Sequence, residues 1–339
     1  MSILVDFCQC SSVRQLVFFL TNIMSLEVVM QLISVVTPCY NEEENVIDIY
    51  ERVKEVFTQL PNYQYEHIFI DNDSNDRTIE ILKALSKMDE NIKIIRNSRN
   101  FGWTKSSFYG LLQAQGDAVI LIAADSQEPP VLIKTFIQEW ESGFQIVIGV
   151  KPKSQESKIM FAVRKSYYRF LKKISEVSLV ENFTGFGLYD RKIIQTLKTF
   201  NEPEPFFRGM VSEVGFEIKK IPYLQPKRQK GSSKFNLYKL YDLAMLGITS
   251  HSKLPLRMAT FIGFFFSGLS FLLAITYFIV KILFWHHFSV GVASIAIGLF
   301  FLGSVQLFCV GLIGEYMLLL NSRMANRPLV IEKERIGWK

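Results

Sequence analysis

Three short polar clusters hold the residues with the most chemistry in this chain. They are Pro38-Cys39-Tyr40-Asn41-Glu42, Asp71-Asn72-Asp73-Ser74-Asn75-Asp76, and Ala123-Ala124-Asp125-Ser126-Gln127-Glu128-Pro129-Pro130. Carboxylates and amides of this kind suit a hard divalent cation. Mg²⁺ typically keeps several waters and takes one or two carboxylates plus substrate phosphates. The same groups suit a sugar nucleotide. One such cluster proves little, because Asp and Asn favour turns and helix caps for local reasons. Three at one edge of a sheet are harder to dismiss. A GxxxxGK[ST] loop and a GxGxxG fingerprint are both absent, which argues against P-loop and dinucleotide chemistry.

The elements that would position these clusters follow from periodicity. β-branched and apolar runs at 32–37, 66–70, 93–96, 118–123 and 145–150 read as strands. Residues 43–60 carry Val46, Ile49, Tyr50, Val53 and Phe57 at helical spacing, and 78–88 carry Ile79, Leu82 and Leu85; 106–115 also reads as a helix. Strands alternating with helices predict a mostly parallel α/β sheet, doubly wound and covered on both faces. Ligands of such sheets bind beyond the carboxyl ends of the strands, and each polar cluster follows a strand.

The C-terminal third has a different composition. Residues 261–285 are apolar apart from Lys281, and 290–314 carry no charge. Each run spans about 37 Å as a helix, enough for a hydrocarbon core of about 30 Å. Only His286 to Ser289 separate them, so the expectation is a transmembrane hairpin. Lys253 and Arg257 precede it, and Arg323, Arg327, Lys333 and Arg335 follow. The positive-inside rule then places both flanks in the cytoplasm, for a multi-pass protein of the inner membrane with both termini cytoplasmic. The net charge of +6 fits a protein resting on an anionic leaflet, with no nucleic-acid motif. Residues 158–178 and 238–247 have the spacing of basic amphipathic helices, suited equally to a membrane surface or to packing on the domain core. Four cysteines, Cys8, Cys10, Cys39 and Cys309, form no metal spacing and fit a reducing compartment. The organisation expected is an N-terminal extension (1–30), a cytoplasmic catalytic domain (31–235), a juxtamembrane amphipathic segment (236–257), two transmembrane helices (258–320) and a cytoplasmic tail (321–339).

The clusters, in this order, resemble family 2 glycosyltransferases of the polyprenyl-phosphate type, such as dolichol-phosphate mannose synthase and the bactoprenol glucosyltransferases. Arg99-Asn100-Phe101-Gly102, Phe207-Arg208-Gly209, Arg228-Gln229-Lys230-Gly231-Ser232-Ser233-Lys234-Phe235, Gly314-Glu315-Tyr316 and Arg327-Pro328 extend the resemblance over about residues 31–335. It implies a glycosyltransferase A-type, Rossmann-like fold and an inverting transfer of one sugar from a UDP- or GDP-linked donor to a polyprenyl phosphate, undecaprenyl phosphate in a bacterium. Pro38, Tyr40, Glu42, Asp71, Asp73 and Gln127 would then bind the nucleotide sugar. Asp125 would hold Mg²⁺ or Mn²⁺, and Arg208, Arg228, Ser233 and Lys234 would contact phosphate. Arginine offers a planar fork of donors that suits phosphate oxygens. Membrane lipids are expected partners, and the enzyme is expected to be a homo-oligomer.

Two departures from the family pattern stand out. The metal motif usually reads Asp-x-Asp-Leu-Gln-Asp-Pro-Pro, but Ala123 replaces the first acid and leaves Asp125 as the motif's only aspartate. A segment often read Asp-Phe-Arg-Leu-x-Asp-Arg appears as Gly185-Phe186-Gly187-Leu188-Tyr189-Asp190-Arg191, which removes a candidate base and is expected to open room near the sugar pocket. A sugar hydroxyl acceptor would need a base. A lipid phosphate, mostly dianionic at neutral pH with a second pKa near 6, does not. The alternatives are an inactive homologue acting as a membrane scaffold, and a synthase that extends a polysaccharide.

Overall fold

The computed structural model describes residues 30–151, 180, 182–200, 202–226, 245, 254–283, 292–325 and 327–338. Strands β1 (Gln31–Cys39), β2 (Tyr63–Asp71), β3 (Ile92–Asn97), β4 (Ala118–Leu121) and β5 (Ile146–Val150) stand where the β-branched runs predict them. Helices α1 (Val46–Thr58), α2 (Thr78–Met88), α3 (Trp103–Gln113) and α4 (Leu132–Glu141) follow β1 to β4 in turn. Then come β6 (Phe183–Asp190), α5 (Arg191–Thr199), α6 (Phe207–Glu213), β7 (Ile218–Pro222), the long helices α7 (Leu254–Leu283) and α8 (Val292–Met324), and β8 (Glu332–Ile336).

The strands form one sheet of order β7-β5-β6-β4-β1-β2-β3-β8. Neighbours are parallel except around β6, which runs antiparallel to β4 and β5, and β8, which runs antiparallel to β3. Alternate residues of the central strands enter opposite cores. Ile33, Val35 and Phe69 pack with Val53 of α1, Leu82 of α2 and Phe136 of α4. Val36, Ile68 and Ile70 pack with Phe108 of α3, Ile194 of α5 and Met210 of α6. Helices thus cover both faces, as two-sided apolar strands require. The chain turns from β1 toward β2 on one side and toward β4 on the other, and such a switch point opens a crevice at the carboxyl ends.

Helices α7 and α8 lie where two transmembrane helices are expected, 258–320, and the rings of Phe266 and Phe301 are 5.4 Å apart between them. Among the described residues one stretch, Phe301–Leu318, is long and apolar enough to cross a membrane, with mean hydropathy 1.5, and none of it is buried. Phe264 and Leu307 are each 74% exposed.

The segment expected as a cytoplasmic tail contains β8, which closes the sheet edge beside β3. Its docking is dense. Lys83 donates to Glu334 at 2.6 Å, Tyr109 to Glu332 at 2.7 Å, and the Ser98 amide to the Ile331 carbonyl at 2.8 Å. The ring of Trp338 lies 4.7 Å from Lys93 Nζ and 4.6 Å from the Arg335 guanidinium.

Candidate functional site

The crevice is built by the loops after β1, β2 and β4, which are the three polar clusters. Among the described residues four non-glycine residues have positive φ, and three of them fall one to each loop: Asn41 (54°), Asp73 (59°) and Ser126 (56°). Left-handed backbone at non-glycine residues costs of order 1–3 kcal/mol and persists only where surroundings enforce it, typically at functional sites. The enforcing contacts are visible. The Asn41 amide donates to Ser74 Oγ at 2.9 Å, and the Asn75 amide donates to Asn41 Oδ1 at 2.8 Å. The Glu42 amide donates to Thr78 Oγ1 at 2.9 Å, so the first two loops are stitched together. Ser126 of the third loop donates to Asp48 of α1 at 2.7 Å.

Pro38 is buried at the end of β1, while Tyr40 and Glu42 are partly exposed in the first loop. The Glu42 carbonyl accepts the Asn45 and Val46 amides and starts α1, and its carboxylate accepts from Asn45 Nδ2 at 2.6 Å. Asp71 ends β2 directly beside Cys39 of β1. Its side chain is fully buried. Oδ2 accepts the Ser74 amide at 3.2 Å and lies 3.8 Å from Arg96 Nε, whereas Oδ1 has no partner among the described residues. Burial raises its pKa above the ordinary carboxylate value, against the pull of the Ser74 hydrogen bonds and Arg96. A buried carboxylate oxygen with no donor is costly and needs an explanation, which a ligand N–H or O–H at the crevice would supply. Asp73, two residues on, accepts from Arg96 Nη2 at 3.3 Å.

Asn72 organises the next wall. Its Oδ1 accepts from Asn97 Nδ2 (3.0 Å), Ser106 Oγ (2.9 Å) and the Phe101 amide (3.0 Å), which fixes the Arg99–Gly102 turn against β2.

Asp125 stands half-buried in the third loop, and its Oδ1 accepts the Gln127 amide at 3.2 Å. Gln127 Oε1 accepts from Gln225 Nε2 at 2.8 Å, which ties this loop to the segment after β7. Among the described residues no three His, Cys, Asp or Glu side chains form a metal cluster. One carboxylate beside a diphosphate remains a coordination that Mg²⁺ uses.

Sequence reasoning gave no role to Glu128. Its Oε2 accepts the Ala123 amide at 2.8 Å and its Oε1 accepts from Thr184 at 2.8 Å, so it clamps the Asp125 loop to β6. Burial pushes its pKa up to about 7. An acid directly before Pro129-Pro130 was the available signal, but only burial shows what it does.

The two glycines of β6 require a correction: they do not open room. A Cβ on Gly187 would lie 2.5 Å from the Val147 carbonyl oxygen of β5, and one on Gly185, where φ is +112°, would meet Leu121 at 3.2 Å and Phe207 at 3.7 Å. Neighbouring backbone and side chains occupy the space that larger residues would need. Arg208 lies in the first turn of α6, next to Phe207, whose ring packs edge-on against Tyr189 of β6 at 5.1 Å. The structure therefore brings Pro38, Tyr40, Glu42, Asp71, Asp73, Asp125 and Gln127 to one sheet edge, with Arg208 on a helix packed on β6. Arg228, Ser233 and Lys234, and the amphipathic segment 158–178, lie outside the described residues, as do residues 238–247 apart from Met245.

Comparison with known proteins identifies the family. Residues 34–198 match the family described as Glycosyl transferase family 2. The bactoprenol glucosyl transferase of Shigella phage SfII is 36% identical over 303 residues, covering 89% of this chain and 97% of that protein. The uncharacterized glycosyltransferase YkcC of Bacillus subtilis is 35% identical over 305 residues, covering 90% and 94%. Among solved structures, mannosyl-3-phosphoglycerate synthase from Rubrobacter xylanophilus aligns with a TM-score of 0.43 at 14% identity, over 63% of this chain and 71% of that one. With full-length relatives above 30% identity, the chain belongs to the bactoprenol-type branch of glycosyltransferase family 2 and is a polyprenyl-phosphate glycosyltransferase.

Proposed function

We propose that this enzyme transfers one sugar, glucose being the first to test, from a nucleotide donor to a polyprenyl phosphate such as undecaprenyl phosphate at the cytoplasmic leaflet. The observation that carries this reading is the similarity to a bactoprenol glucosyl transferase over 89% of this chain and 97% of that protein. Asp71 and its loop neighbours Pro38, Tyr40, Glu42 and Asp73 would hold the nucleoside, with the orphan Asp71 oxygen accepting a donor N–H or O–H. Asp125 would hold Mg²⁺ or Mn²⁺ together with the donor diphosphate, and a cation bound there neutralises charge on the departing diphosphate. Arg208, Arg228, Ser233 and Lys234 would bind phosphate oxygens of donor and acceptor. The acceptor phosphate is already ionised, so attack on the anomeric carbon needs alignment and exclusion of water more than a base. A single displacement inverts that carbon and gives a β-linked product from an α-linked donor.

The tail strand supports the membrane hairpin. β7 and β8 are both hydrogen-bonded into the catalytic sheet, so the chain between them starts and ends on the same side of any membrane. The chain between them must cross an even number of times. One crossing by α8 alone would put β8 and β3 on opposite sides. Helix α7, at 30 residues about 45 Å long, has the length to make the other crossing. The uncovered apolar side chains of both helices suit lipid.

The test is incubation of purified enzyme with undecaprenyl phosphate and a panel of labelled nucleotide sugars that includes UDP-glucose. A single lipid-linked monosaccharide is expected. A growing polymer would replace this reading with a polysaccharide synthase, and no turnover with any donor would replace it with a scaffold.

A further inference from the structure

The register of β8 slips once. Arg96 faces Glu334 and Asn97 faces Glu332, so Lys333 is the extra residue of a β-bulge. Bulges re-aim a side chain and are common beside active sites. Here Lys333 Nζ comes to 4.0 Å from Asp73 Oδ1, the oxygen that also receives Arg96 Nη2 at 3.3 Å. Asp73 holds one of the three left-handed turns of the crevice. It sits between two cations, one from β3 and one from the far end of the chain. The bulge is braced on both flanks, by Glu332 with Tyr109 and by Glu334 with Lys83. A sheet-edge cap would need none of this aim toward the donor loop.

We propose that β8 forms a wall of the donor site and that Lys333, through Asp73, is a positioning residue for the donor's nucleoside. Lys333 and Arg96 together hold Asp73 in its left-handed turn. This rests on the donor-site reading given above. β8 begins eight residues after the last residue of α8, so the stretch that follows the long apolar helix also completes the nucleotide pocket.

The experiment uses the full chain in detergent, as wild type, Lys333→Ala, Lys333→Glu and Lys333→Arg. Dissociation constants for UDP and GDP are measured by calorimetry, and donor KM and kcat by lipid-linked sugar formation. A half-exposed ion pair is worth at most about 1 kcal/mol, so Lys333→Ala should raise nucleotide Kd and donor KM by up to about fivefold. Its kcat should stay within about twofold, since a group that only holds the donor acts on binding. Lys333→Glu should weaken binding further, Lys333→Arg should restore it, and about 0.5 M salt should erase most of the difference. Unchanged Kd and KM in both Lys333→Ala and Lys333→Glu, with an active wild type, would overturn this inference alone. So would a fall in kcat without a change in Kd, or aggregation of Lys333→Ala on size exclusion, since either marks a purely structural strap. A wild type that binds nucleotide but makes no lipid-linked sugar refutes the acceptor reading, and Kd alone then decides the role of Lys333. A wild type that binds neither nucleotide overturns both.

Discussion

Replacing Asp71 by Asn separates binding from folding more cleanly than any other change at the crevice. The side chain is fully buried, one oxygen is satisfied by the Ser74 amide, and the other has no partner among the described residues. Asparagine keeps the size and removes the charge. To keep the Ser74 bond it must turn its amide NH₂ toward the crevice, where a donor N–H or O–H needs an acceptor. A hydrogen bond to a charged group is worth about 1.5–3 kcal/mol, so nucleotide affinity should fall about ten- to 150-fold. Folding should not suffer. Burial already raises the pKa of Asp71, so the charged form is disfavoured there and neutralising it relieves desolvation. Arg96 retains Asp73 at 3.3 Å. The assay pairs nucleotide calorimetry and donor KM with a thermal melt of the same preparation. A donor KM within about threefold of wild type in folded Asp71→Asn would refute the assignment, being well short of the loss of a charged hydrogen bond. A large drop in Tm would show instead that the acid is structural.

Restoring the family's arginine with Gly187→Arg should not improve activity. It should destabilise the protein, because overpacking costs about 1–3 kcal/mol and a domain of this size loses about 2–4 °C of Tm per kcal/mol; an unchanged melt would show that β5 yields easily. Burial lowers the pKa of His67 from 6.5 to about 3, with its Nε2 paired to Thr37 Oγ1 at 2.9 Å. Stability from the neutral ring is therefore complete above pH 6.5 and falls as pH drops toward 3, by about 1.4 kcal/mol per pH unit. His67→Gln should flatten that acid limb of the Tm profile, and parallel profiles would disprove it. Reporter tags should read external when inserted at His286 and cytoplasmic after Lys339; an external tag after Lys339 would contradict both the hairpin and the β8–β3 pairing.

Much of the catalytic half was legible because local and tertiary signals agree there. Helix α2 begins at Thr78 and ends at Met88, the bounds set by Ile79, Leu82 and Leu85. Asp71 and Asp125 were readable as candidate site residues because each lies at the carboxyl end of an apolar strand, the edge at which parallel sheets bind ligands. The legibility ends where pairing partners are distant in sequence. Glu332–Ile336 reads Glu-Lys-Glu-Arg-Ile, a charged tail with little strand propensity, and becomes a strand because β3 offers an open edge and Lys83 and Tyr109 receive its acids. The glycines of β6 looked like vacancies in a motif. Only the neighbouring strand, with the Val147 carbonyl 2.5 Å from a Cβ on Gly187, reveals that backbone fills the gap. The role of Glu128 was hidden for the same reason, since Thr184 comes from another strand.

The docking of β8 also orders events during synthesis. Its pairing with β3 joins residues about 235 positions apart, so the sheet edge cannot close until nearly the whole chain has been made. At about 5–20 residues per second, the edge of β3 that faces away from β2 waits for roughly ten to fifty seconds with its backbone donors and acceptors unpaired. An open strand edge is a template for aggregation. Under the membrane topology proposed above, both long apolar helices would also have to reach lipid in those seconds. Completion of the sheet therefore comes last, and under that topology it would report that the helices are in place: a chain whose α8 ended on the wrong side of the membrane could not deliver Glu332 to Asn97, and its sheet would keep an exposed edge that quality-control proteases and chaperones can recognise.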